Sequence, residues 1–142
     1  MAGMVEVKGL GKYYGDYKAI DDVNFEVNKG EILGFLGPNG AGKTTTMRII
    51  TGFMPPSEGT VIVAGYDIVD DSRDARTNLG YLPETVPLYT DMTVEAYLAF
   101  MGSIRGMPVD RIYSRINEVV DVCRLGDYRK SIIGKLSKGF RQ

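Results

Sequence analysis

Gly37-Pro38-Asn39-Gly40-Ala41-Gly42-Lys43-Thr44 is the stretch on which the fold turns. It fits Gly-x-x-x-x-Gly-Lys-Ser/Thr and lies between an apolar run at residues 32–36 and a helix-like run at residues 45–50. Strand, glycine loop and helix in that order make a phosphate-binding loop. Glycines at 37, 40 and 42 let the backbone curl and turn several N–H groups inward, because no Cβ blocks positive φ values or the close approach of an anion. The helix dipole and the free N–H groups of the first turn then favour negative charge. Lys43 adds an ammonium able to reach terminal phosphates, Thr44 offers a hydroxyl to the shell of Mg2+, and Thr45 is placed to donate to an inner phosphate.

Working outward, the apolar run 32–36 predicts a strand buried on both faces of a parallel sheet. Its helix is predicted over residues 42–51, closed by Gly52 and the Pro55, Pro56 pair. Val5 and Val7, and then Val23, Phe25 and Val27, alternate with polar residues, predicting an antiparallel opening of two half-buried strands around a turn-rich stretch at 11–18. Residues 60–64 resume an apolar strand before Gly65, Tyr66 and Asp67. An apolar run ending in aspartate can anchor magnesium, but this one follows the phosphate loop so closely that a hairpin turn is the better reading. The charge run from Asp70 to Arg76 reads as a short solvated helix, and residues 79–82 as another short buried strand stopped by Pro83.

Beyond Glu84 the period changes. Val94, Tyr97, Leu98 and Met101 recur at helical spacing behind Thr93 as N-cap, with Glu95 in the first turn. Ile112, Ile116, Val119, Val120 and Cys123 form a second stripe after Pro108, with Gly126 as the predicted stop.

The chain has 142 residues, 17 basic and 18 acidic, with a net charge of -1. It is long enough for one cored domain, and its charge balance calls for no nucleic-acid partner. Histidine is absent, which removes the commonest general base and transition-metal ligand. The single cysteine, Cys123, excludes an intrachain disulfide, fits a reducing compartment and reads as a core thiol. No apolar run spans a bilayer, and the N-terminus lacks the pattern of a secretory signal.

From Val5 onward the chain resembles the nucleotide-binding domain of ABC transporters. The resemblance rests on Val5-Glu6-Val7-Lys8-Gly9-Leu10, Tyr14-Gly15, Gly30-Glu31-Ile32 and the glycine loop through Thr45. It implies an α/β P-loop NTPase (ABC ATPase) core with an antiparallel β edge and a helical subdomain. Within one incomplete domain, residues 1–84 would be the catalytic-core portion, 85–136 the helical subdomain and 136–142 the start of the signature motif. The resemblance implies that Tyr14 stacks on adenine; by its residue type alone it is a turn aromatic like Tyr13 and Tyr17. Nucleotide-binding residues would be Tyr14, Gly37, Pro38, Asn39, Gly40, Ala41, Gly42, Lys43, Thr44 and Thr45.

The family's Q-loop glutamine falls in Leu82-Pro83-Glu84, where this chain has glutamate. Glu84 would join Thr44 on Mg2+, and Lys43 and Glu84 would be the catalytic residues; read without the family, Glu84 is a surface glutamate after a proline. The Leu-Pro-Glu form is similar to the branch serving ABC-2-type exporters. Leu136-Ser137-Lys138-Gly139-Phe140 is similar to the signature Leu-Ser-Gly-Gly-Gln and differs at Lys138 and Phe140. Ser137, Lys138 and Gly139 would act in trans on nucleotide held by a second copy.

The family next has a strand ending in aspartate, a water-polarising glutamate and a switch histidine, none of which follows Gln142 here. The sequence therefore reads as the N-terminal, C-terminally truncated portion of such a domain, inactive in hydrolysis by itself and prone to self-association. The resemblance implies an energy-coupling ATPase subunit using ATP and Mg2+, partnered by a membrane-spanning permease and a second ATPase subunit on the cytoplasmic face of the cell membrane. Rival readings are a soluble ABC-type ATPase outside transport, a phosphate-loop GTPase or small-molecule kinase, and a fragment that only binds nucleotide. No Asn-Lys-x-Asp base reader follows the loop, which disfavours the GTPase.

Overall fold

The computed structural model describes residues 4–142. The chain divides into two compact units, one extending to Tyr81 and the other running from Leu82 to Gln142.

In the first unit, β1 (Val5–Tyr14) and β2 (Tyr17–Val27) pair antiparallel, and β3 (Glu58–Val63) and β4 (Tyr66–Asp67) complete a sheet of order β2-β1-β3-β4. The strands of the opening hairpin run further than the sequence predicts. Instead of a long turn at 11–18, Tyr14 pairs with Tyr17 and only Gly15 and Asp16 intervene. Val7 and Leu10 are both fully buried although three residues apart, a spacing that a regular strand would split between its two faces. Irregularities around Gly9 in both ladders bring them to the same core. Gly59 makes this possible: its φ is +75°, and a Cβ there would run into the Gly9 carbonyl.

Helix α1 (Lys43–Ile50) covers the sheet with Ile49 and Ile50, which join Val7, Leu10, Ile20, Val61, Val63 and Ile68 in one core. Burying each such aliphatic side chain contributes about 1.5 to 3 kcal/mol. The one buried polar side chain among the described residues, Thr46, is satisfied by donating to the Gly42 carbonyl at 3.0 Å. The β3–β4 hairpin turns at Ala64 and Gly65, both at positive φ, and Asp67 lies one step further on, at the end of β4 opposite Ile62, where its Oδ1 accepts from the N–H groups of Val69 and Asp70 and closes the next turn. Helix α2 (Ser72–Thr77) is the short solvated helix, and only its Ala75 is buried.

Two predicted strands do not form. Residues 32–36 belong to no ladder among the described residues, with Ile32 98% and Leu36 92% exposed. An apolar run becomes a strand only where a neighbouring segment pairs with it, and no described segment pairs with this one. Phe35 alone is half-buried, its ring 5.5 Å from that of Phe25. Residues 79–82 likewise pair with nothing described, and Tyr81 and Leu82 are exposed.

In the second unit, α3 (Val94–Ile104) starts as predicted, with Thr93 Oγ1 accepting from the Ala96 N–H at 3.2 Å. The helix runs through Gly102, where a Cβ would press on Ile112 at 3.3 Å. That closeness lets α4 (Val109–Val122) lay Ile112, Ile116 and Val120 against Leu98, Ala99, Met107 and Leu125. Arg124, in left-handed conformation at φ +54°, ends the α4 turn; Gly126, the predicted stop, instead opens a 3-10 turn (Gly126–Tyr128). Cys123 caps α4 and is exposed, so the predicted core thiol is a surface one.

A second 3-10 turn (Ile133–Lys135) and α5 (Lys138–Arg141) end the unit. Backbone bonds from Val94 to Ser131, from Ile133 to Met92 and from Gly134 to Thr90 tie this return segment to the start of α3. Arg129 clamps the same region, donating to Glu95 Oε1 and Asn117 Oδ1, both at 2.8 Å.

Gly59→Ala should destabilise the chain by at least about 2 kcal/mol in urea titration, since left-handed strain alone costs roughly 1–2 kcal/mol and the clash adds to it. A loss under about 1 kcal/mol would show that β1 and β3 do not cross so closely. The hydrogen bond from Arg129 holds the Glu95 carboxyl below its ordinary range. A lowered carboxyl stabilises the fold above the unfolded value of about 4.3 and loses that contribution as the pH falls through its lowered value. The thermal midpoint of Glu95→Gln should therefore lie below that of the parent above about pH 5, and the gap should close toward about pH 3. A gap constant across that range would remove the ion pair from the account.

Candidate functional site

The glycine loop is seated by one close approach. Gly42 is the N-cap of α1 with φ +81°, and a Cβ at that position would lie 2.6 Å from the Ala19 carbonyl oxygen and 3.0 Å from Ile20 Cγ1. Only glycine satisfies both the dihedral and the space. Gly42 offers no capping side chain, so nothing local competes for the donors of the first turn. Among the described residues, no acceptor takes the N–H groups of Lys43, Thr44 or Thr45. The bend before them is closed by the Ala41 N–H donating to the Pro38 carbonyl at 3.3 Å.

Lys43 folds over this bend, its ammonium donating to the Gly37 and Pro38 carbonyls at 2.6 Å each. The cation is thereby held on the bend that leads into the start of α1. Thr44 is exposed and its hydroxyl has no partner among the described residues, whereas the hydroxyl of Thr46, two residues on, donates to the Gly42 carbonyl. Asn39 and Gly40 are exposed at the tip. Oriented N–H donors, one ammonium and one uncommitted hydroxyl fit the oxygens of a polyphosphate and one position in the shell of a hard divalent cation.

Tyr14 ends β1 of the hairpin whose second strand seats Gly42 at Ala19, so its ring stands on the same two-stranded support as the loop. It is 48% exposed, and its hydroxyl donates to Met54 Sδ at 3.3 Å. Sequence reasoning missed Ala19, whose role comes from its backbone, Met54, which meets Tyr14 only through the fold, and Lys12, whose place two residues before Tyr14 in one strand was the signal that could have found it.

The remaining predicted residues lie in the second unit. Glu84 is exposed, and its backbone carbonyl accepts from Gln142 Nε2 at 3.0 Å, joining the segment that leads toward α3 to the residue that ends α5. Ser137 is the N-cap of α5, its Oγ accepting from the Phe140 N–H at 3.3 Å, and Lys138 and Gly139 are exposed beside it. Phe140 packs on Tyr128 with ring centroids 4.5 Å apart, so a side chain that cannot hydrogen-bond like glutamine serves to pack the short helix. Among the described residues, no three His, Cys, Asp or Glu side chains cluster as metal ligands, and no helix is long and apolar enough to cross a membrane.

Residues 20–142 match the family model described as ABC transporter. An ABC transporter ATP-binding protein of Methanocaldococcus jannaschii is 40% identical over 142 residues, covering all of this chain and 50% of that protein. The probable multidrug ABC transporter ATP-binding protein YbhF of Escherichia coli K12 is 37% identical, over 98% of this chain and 24% of its own length. The Nod factor export ATP-binding protein I of Ralstonia nicotianae is 35% identical, over 98% and 43%. The chain thus spans half or less of the length of these relatives. A solved ATP-binding subunit of an ABC transporter superposes with a TM-score of 0.86 at 33% identity, over 97% of this chain and 57% of that one. Its fold is accordingly the P-loop core of the ABC ATPases with the antiparallel edge and helical part, and the chain belongs to the ABC transporter family as one of its ATP-binding proteins.

Proposed function

We propose that the chain binds Mg-ATP at the glycine loop and forms the energy-coupling part of a transporter ATPase. The N–H groups of Lys43, Thr44 and Thr45, without acceptors among the described residues, and the Lys43 ammonium held on the same bend carry this reading. Lys43 has three donors and uses two of them on loop carbonyls, so the third can meet a terminal phosphate without the ammonium leaving the bend. The backbone of residues 37–42 wraps the inner phosphates, Thr45 donates to one of them, and Tyr14 takes the base. Magnesium, when bound, neutralises charge across the phosphates; Thr44 and Glu84 are the residues assigned to hold it.

For a protein of the relatives' length, the reading extends to hydrolysis, a second ATPase subunit and a membrane-spanning permease. Residues 1–84 then serve as core, 85–136 as helical subdomain and 136–142 as the start of the signature, with Ser137, Lys138 and Gly139 turned toward nucleotide on the second subunit. Closure follows from tighter binding of γ-phosphate in the closed state, since a ligand shifts an equilibrium only by its differential affinity. Placement on the cytoplasmic face of the membrane comes through the permease. Export as the direction is supported by Glu84 in Leu82-Pro83-Glu84 and by the export protein among the relatives.

Lys43→Ala should weaken Mg-ATP binding about tenfold or more in calorimetry, because a hydrogen bond to a charged group contributes roughly 1.5 to 3 kcal/mol. Equal affinity in parent and variant would end the proposal. Gly42→Ala should show a comparable loss of affinity, together with about 1–2 kcal/mol or more of lost stability from left-handed strain. A variant with intact stability and affinity would mean that the loop is not seated on Ala19.

A further inference from the structure

The Tyr14 ring is held from two sides. Its hydroxyl donates to Met54 Sδ at 3.3 Å, and the Lys12 ammonium lies over the ring, 5.7 Å from its centroid. The same ammonium donates to the Pro55 carbonyl at 2.8 Å. Met54 and Pro55 lie in the segment leaving α1, the helix that starts at the phosphate loop. Lys12 therefore links strand β1, the Tyr14 ring and the far end of the loop's own helix through one group.

We propose that Lys12 is a positioning residue for the nucleotide base, acting through Tyr14, with Met54 as the anchor of the ring's hydroxyl. The inference rests on the reading of the glycine loop as the nucleotide site and assigns the part of it that reads the base. With the ammonium tied to Pro55 over one face and its hydroxyl bonded to Met54, the ring is held in place while it stays half exposed to a stacking partner. A cation on one face also draws electron density from the ring, which eases π-stacking on the other. Because Lys12 acts on the ring, its contribution belongs to ligands that carry a base.

The test compares Mg-ATP with base-free Mg-tripolyphosphate by calorimetry on the 142-residue chain. Lys12→Met, which keeps the aliphatic stem, should lower ATP affinity about two- to fivefold and leave tripolyphosphate affinity unchanged, with Lys12→Arg restoring the parent value. In a Tyr14→Ala background Lys12→Met should have no further effect. Met54→Leu, which keeps the packing and removes the sulfur, should give a loss confined to ATP. Unchanged ATP affinity in Lys12→Met, equal losses for both ligands, or a loss that persists without the Tyr14 ring would each overturn the proposal. Failure of the loop reading is recognised separately, by a Lys43→Ala variant that keeps its affinity for both ligands.

Discussion

The contact between Gly42 and the Ala19 carbonyl governs the geometry of the first unit. A loop that must present backbone donors to an anion has few side chains with which to anchor itself, so its position has to come from what its backbone touches. Here the anchor is the second strand of the opening hairpin, at a separation no Cβ tolerates. Two consequences follow for the same residue. The left-handed φ of Gly42 turns the chain into α1, and its carbonyl accepts from the buried Thr46 hydroxyl, so loop, helix and sheet share one junction.

That junction was only partly legible in the sequence. Gly37 to Thr44 announced a phosphate loop, and Thr93 with the apolar stripes after it announced two helices, because glycine spacing, capping and periodicity are local properties. What escaped was set by partners distant in sequence. Residues 32–36 read as a buried strand from their composition, yet a ladder needs a neighbour and none of the described residues supplies one. Cys123 read as core from its place in a stripe, but α4 ends there and leaves the thiol exposed. Arg124 ends the α4 turn in a left-handed conformation for which a glycine was expected. Arg129 gave no signal at all; its value comes from Glu95 and Asn117, 34 and 12 residues away.

Local concentration of charge also explains how a nearly neutral chain can serve a highly charged ligand. Seventeen basic and 18 acidic residues cancel in bulk, so long-range steering toward a polyanion is weak. The attraction has to act within a few ångströms, where aligned N–H dipoles and a single ammonium are little screened by salt. Some of the other cations are committed to carboxylates: Lys8 to Glu6, Lys18 to Asp21, Arg115 to Glu118 and Arg129 to Glu95. Lys43 has no acidic partner among the described residues and bonds only to neutral carbonyls, which leaves its full charge to the bend.

The same two bonds bear on how firmly the loop is held. Its N-terminal leg, residues 32–36, gains nothing from a ladder and is pinned mainly by Phe35 against Phe25 and by the reach of Lys43 to Gly37 and Pro38. Its C-terminal leg is fixed by Gly42 on Ala19 and by the burial of Ile49 and Ile50. An anion seated between the two legs would bond both of them to a common centre. Order in the loop and affinity for the ligand are then one quantity, since a ligand bound only by the ordered form adds about 2.7 kcal/mol to its stability at a hundredfold excess over Kd. Rigidity that most loops draw from neighbouring strands would come, in this bend, largely from a phosphate bound between its legs.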